Sequence, residues 1–232
     1  MTQRILNAEP TPIGEIRNEQ PAPLDRLASV TPGRVLLPNI PPVTDQGSEG
    51  TCVAHAAGGV YSWWYRQRYG KFPAIDQRAF YDLCKKIDGQ PDPERMLGTY
   101  LLTALRVMRG SGYPLVGGGR GPKITGYLYV GSVFDDLQRA IDQMRSPVLF
   151  RLDWDANWMY LPASRIVKAP VGQYIGGHAL YSIGFDDSVN GESAIDRNSW
   201  GAWSSGGNGT CYFADRYKDT HGLEGWIVTG IG

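Results

Sequence analysis

The sequence predicts an α+β fold, with a helical lobe facing a sheet- or barrel-like lobe. Two observations carry that prediction. Apolar residues recur at helical spacing in the first half, and short β-branched and aromatic runs parted by glycine and asparagine fill the second. Helices first and strands later is the order of an α+β chain. At 232 residues the chain suits one domain or two lobes around a shared cleft.

The elements follow in order. Eight of the sixteen prolines fall in residues 1–42, so residues 1–46 read as an extended strap. Residues 47–112 form the helical lobe. Thr51 is the expected N-cap of a helix in which Val53, Ala57, Val60, Tyr61 and Trp64 share a face and Gly70 is the stop. A second helix covers Gln77 to Ile87. A third runs from about Thr99 to Met108, with Gly110 and Gly112 ending it. Residues 113–232 form the β-rich lobe. Its opening YPLVGGGRGPKITGYLYVG reads as a loop with a short strand, because Gly121-Pro122-Lys123-Ile124 lacks the ending of a phosphate-binding loop. Ser132-Val-Phe-Asp135 resembles a capping box that opens a helix to Met144. The runs PVLFRLD, HALYSIGF, ESAIDRNSW, TCYF and GWIVTGI are the expected strands.

Composition narrows the function. Lys+Arg and Asp+Glu are both 23, so the formal net charge is zero and no basic patch points to nucleic acid or a membrane surface. No apolar run is long enough to span a bilayer, and the first residues lack the apolar core of a signal peptide. The expected location is cytoplasmic, or exported without a cleavable signal. Three cysteines and three histidines are scattered without ligand spacing, so neither a metal nor another cofactor is expected. An odd, sparse cysteine count also argues against a disulfide framework. Cys84 and Cys211 read as buried, unpaired core residues.

Cys52 differs from them. It opens a helix, where free backbone N–H groups and the helix dipole favour a thiolate. A nucleophile also needs a base. His55 lies on the same helix face and reads as packing, and His221 sits in a polar loop and reads as solvated. His178 opens an apolar strand after Gly176-Gly177, a place that taken alone favours a structural histidine. The next strand brings Asn198, whose amide oxygen can fix an imidazole tautomer, and Trp200, which can shield that bond.

Gln46-Gly47-x-x-Gly50-x-Cys52-x-Ala54, Gly177-His178-Ala179 and Asn198-Ser199-Trp200-Gly201 together resemble the active-site motifs of papain-like cysteine peptidases, in the family order Gln, Cys, His, Asn. Residues 98–113 are similar to the segment that lines the family's substrate cleft, and the likeness spans roughly residues 38–230. It implies a two-lobed fold, with a helical lobe facing an antiparallel β-barrel-like lobe across the cleft. Its catalytic set would be Cys52 as nucleophile, His178 as base, Asn198 as orienting residue and Gln46 as oxyanion donor. Gly98, Thr99, Tyr100, Gly177 and Trp200 would bind a protein or peptide substrate. The thiolate would be held by the His178 imidazolium, attack a carbonyl, and form a thioester that water hydrolyses.

The departures matter too. Glu49 stands where secreted members carry a disulfide cysteine, and Val53 where the family has tryptophan. Leu97-Gly98-Thr99 replaces Asn-Gly-Gly, so the Thr99 side chain is expected to narrow the second subsite. AWSSGGNG replaces the usual run after Trp200. Residues 1–30 are too short for a standard propeptide and are expected to lie across the cleft as a plug. The alternatives are a catalytically inactive papain-fold binding or structural module, and an acyl-transfer variant of the same fold.

Overall fold

A computed structural model describes residues 4–24, 28–30, 32–203 and 208–232; the SSGG part of the AWSSGGNG departure lies outside them. The elements are β1 (Ala8–Glu9), α1 (Ile13–Ile16), β2 (Arg34–Leu36), α2 (Cys52–Tyr69), α3 (Gln77–Ile87) and β3 (Thr99–Tyr100). They continue with α4 (Leu101–Ser111), β4 (Ile124–Gly131), α5 (Phe134–Met144), β5 (Val148–Asp155) and β6 (Tyr174–Asp186), and close with β7 (Ser193–Arg197), β8 (Thr210–Ala214), α6 (Asp215–Asp219) and β9 (Glu224–Ile231). None of the described helices is long and apolar enough to cross a membrane.

The α+β class holds, with each expected helix and strand present. Thr51 occupies the N-cap of α2, but its hydroxyl makes no hydrogen bond, so no side chain caps the first turn. Gly70 ends the helix at φ 73°, the left-handed conformation that glycine adopts at least cost. The capping box expected at Ser132 is absent. Val133 is the N-cap of α5, and the Phe134 N–H donates instead to Asp219 Oδ1 at 2.7 Å, a cap supplied by α6.

The sheet is antiparallel, in the order β4-β9-β5-β6-β7-β8, with β2 also paired to β6. It does not close into a barrel, because its edges are already covered by segments of irregular backbone. Tyr212 of β8 exchanges backbone hydrogen bonds with Arg165 and Val167. Tyr129 of β4 does the same with Gln20 and Ala22 of the strap. Segments laid along the edges in this way stand between them.

The alternation along β6 divides the core. Ala179, Tyr181 and Ile183 pack with α2, α3 and α4, whereas Leu180 and Phe185 pack with α5 and a tryptophan-rich cluster. The glycines of α2 let the sheet come close: a Cβ on Gly59 would stand 2.3 Å from the Tyr181 ring. On the other side, Lys218 and Asp196 form a wholly buried ion pair at 2.8 Å, with the ammonium 3.7 Å from the Phe150 ring centroid. Asp196→Ala strands that ammonium, and the expected loss is about 3–5 kcal/mol, read from urea unfolding midpoints.

Candidate active site

Cys52 begins α2 and is fully buried. Burial raises its thiol pKa above the ordinary value, although backbone N–H groups of Ala179 and Asn7 at the sulphur favour the thiolate. Ala179 belongs to β6 and follows His178 there, so one strand carries both a backbone N–H at the sulphur and the imidazole.

His178 is also fully buried, and its Nε2 lies 2.8 Å from Asn198 Oδ1. The Ser199 N–H donates to the same oxygen at 2.7 Å, which identifies it as the acceptor and puts the imidazole proton on Nε2. Nδ1 is then a lone pair without a hydrogen-bond partner among the described residues. It is free to take a proton. Two indoles enclose the ring, Trp154 and Trp200, each with its centroid 4.7 Å away.

Gln46 is braced against the opposite strand end. Its Oε1 accepts from Ser199 Oγ at 2.6 Å, and its backbone N–H donates to the Ser199 carbonyl at 2.8 Å. The amide Nε2 donates to the Glu49 carbonyl at 2.8 Å and to the Ile5 carbonyl at 3.2 Å. Its donor is thus already engaged with a carbonyl of the strap.

The strap runs straight through the cleft. β1 pairs in parallel with β3, Ala8 opposite Thr99 and Glu9 opposite Tyr100, while Asn7 bridges Gly177 on the facing wall. The walls are glycine because the strap backbone lies against them. A Cβ on Gly98 would stand 1.4 Å from the Asn7 carbonyl oxygen, and one on Gly177 would stand 2.0 Å from that of Ala8. Arg4 anchors one end on Asp45 (2.5 Å) and the Gly47 carbonyl, with its guanidinium over Trp200. Thr11 anchors the other end through its N–H and hydroxyl, both donated to the buried Glu224 carboxylate at 2.9 and 2.6 Å. Arg106 then holds Glu15 and Glu19 beyond α1.

Burial opposes the charged form of both members of the expected thiolate–imidazolium pair. Desolvation lowers the His178 pKa to about 4, an effect larger than the raising hydrogen bond to Asn198, while the Cys52 thiol is pushed the other way. The sign for stability follows. An unfolded His178 titrates near its ordinary 6.5, so the unfolded state binds the extra proton between pH 6.5 and 4. The folded state keeps its full stability above pH 6.5 and loses it as pH falls toward 4, on the order of 3 kcal/mol from His178 alone. The thermal midpoint is expected to drop across that window, and less so in His178→Gln.

The remaining expectations divide. His55 packs as expected, its Nδ1 2.9 Å from Thr44 Oγ1, and burial lowers its pKa to about 4. His221 is not simply solvated: its Nδ1 meets the Tyr217 carbonyl at 2.7 Å, and its ring lies against Trp158 because the loop folds back on α6. Thr99 donates its hydroxyl to Asp88 at 2.7 Å, so its side chain is held beneath the cleft wall and does not narrow a subsite. Tyr100 flanks the strap. All three cysteines are free and buried. Trp154, Ser199, Arg4 and Glu224 are the site residues that sequence reasoning missed. Ser199 lay inside a quoted motif, but Trp154 comes from a strand whose register alone carries it to His178.

No protein-family profile and no curated protein matches the chain. Solved structures do. Xylellain, a cysteine protease from Xylella fastidiosa, superposes with a TM-score of 0.77 at 19% identity, over 100% of this chain and 97% of that one. Bromelain protease from Ananas comosus, in complex with the E64 inhibitor, gives 0.68 at 19%, over 86% and 100%. Digestive procathepsin L2 from Tenebrio molitor larval midgut gives 0.74 at 18%, over 97% and 78%.

Proposed function

From the papain-like cysteine-protease fold that these structures share with it, we propose that the chain is a cysteine peptidase held inactive by its own strap. The observations that carry the reading are the Ala179 backbone N–H at the Cys52 sulphur, the neighbouring His178 with a free Nδ1 and an amide oxygen on Nε2, and the Gln46 donor on a strap carbonyl. Once the strap leaves and water enters, the thiol proton passes to His178 Nδ1, and the helix N-terminus supports the thiolate. The sulphur attacks a peptide carbonyl, whose oxygen takes the place of the Ile5 carbonyl on Gln46 Nε2 and meets the Cys52 N–H. His178 returns the proton to the leaving amine, then draws one from the water that opens the thioester. Asn198 keeps the imidazole oriented, and the indoles of Trp154 and Trp200 keep water from that hydrogen bond.

Gly98, Thr99, Tyr100 and Gly177 would supply the backbone walls for the substrate, because the strap already uses them in that manner. Retention of all four catalytic groups supports an active enzyme over a binding module. The deciding experiment is thiol alkylation across pH on a chain lacking residues 1–12, with the adduct located by mass spectrometry and peptide hydrolysis followed in parallel. Labelling of Cys52 below pH 7, lost in Cys52→Ala together with turnover, is the expected result. A thiol no faster than free cysteine, with no turnover, would leave the inactive module.

A further inference from the structure

A cavity is lined by Pro41–Thr44 at the end of the strap, and no residue of 1–40 lines it. It has a volume of about 280 Å³ and is walled by Pro41, Val43, Phe72, Ile75 and Tyr181, with Gly58 and Gly59 of α2 as its floor. The glycines make that floor flat, and the wall is mostly apolar, as in small-molecule pockets.

Two of its polar donors lack an acceptor. Arg197 is 6% exposed, and among the described residues its guanidinium meets neutral oxygens: the carbonyls of Asn208 and Pro41 and the hydroxyls of Thr210 and Tyr181. Among the described residues no carboxylate pairs with it. Its Nε has no hydrogen-bond partner, and neither has Nδ2 of Asn198, which shares the wall. A buried cation without a counter-charge is costly, and an unmet buried donor adds to that cost. The missing partner is an anionic acceptor. His55, with Nδ1 engaged by Thr44, lines the same space.

We propose that this cavity is a binding site for a small aromatic carboxylate, its ring between Phe72, Ile75 and Tyr181 and its carboxylate on Arg197. One ring suits the volume, and the planar guanidinium suits a carboxylate. The site shares Asn198 with the catalytic set, but binding is read directly and does not depend on peptide hydrolysis.

The test titrates the full chain with phenylacetate and, as the neutral ring control, 2-phenylethanol. Calorimetry measures affinity, and backbone amide shifts in NMR locate the ligand. Phenylacetate is expected to bind one to one, shifting the amides of His55, Gly58 and Gly59, at least tenfold more tightly than the alcohol. Arg197→Met should bring it down to the level of the alcohol. Equal affinity for the two compounds, or shifts confined to other parts of the chain, would overturn the proposal. That comparison needs only the unaltered protein, so it decides the matter even if Arg197→Met does not fold.

Discussion

Deletion of residues 1–12 is expected to raise both the rate of Cys52 alkylation and kcat/KM for a peptide substrate by about a hundredfold or more. The strap is fixed at three places in the cleft: Arg4 on Asp45, the Ile5 carbonyl on Gln46, and Thr11 on Glu224. Each hydrogen bond contributes about 1 kcal/mol net, more where a charge is involved. Together they keep the open form a minor population, and activity scales with that population. Removal through residue 12 leaves α1 and its clasp on Arg106 in place, so the edge of β4 stays covered. Thr11→Val and Arg4→Ala should each release only part of the gain. Equal labelling and equal turnover in the full and shortened chains would show that the strap does not restrain the site.

The second large effect concerns Gln46. In the shortened chain, Gln46→Ala is expected to lower kcat by two to three decades, because loss of one oxyanion donor costs about 2.7–4 kcal/mol of barrier. The side chain also braces Ser199 through its Oε1, so alanine removes a support as well as a donor. Gln46→Glu separates the two roles, since it keeps an oxygen for the Ser199 hydroxyl and loses the N–H. A comparable fall in kcat for both variants, with Cys52 alkylation little changed, would assign the loss to the donor. Recovery of activity in the glutamate variant would assign it to the brace instead.

Much of this arrangement was legible in the residues. The periodicity of α2, its stop at Gly70, and the strand runs from β5 to β9 are local properties of the chain, set by side-chain spacing and turn chemistry. The motifs around Gln46, Cys52, His178 and Asn198 were legible for the same reason: each is a short segment whose local form follows from its own residues. The cap of α5 was misread because its acceptor, Asp219, lies 85 residues away and no neighbouring residue signals it. The barrel was misread because what covers each sheet edge is a distant irregular segment.

The sequence by itself determined the α+β order, the helix that starts at Cys52, and a proline-rich beginning that is extended but for the single turn of α1. Only the tertiary structure decided where that beginning goes. Its parallel pairing with Thr99–Tyr100, its anchors on Asp45 and Glu224, and the glycines that admit its backbone all join residues far apart in the chain. The charge state of Cys52 and His178 was decided there as well. A helix N-terminus favours a thiolate locally, but the burial of both groups in the folded chain opposes their charged forms.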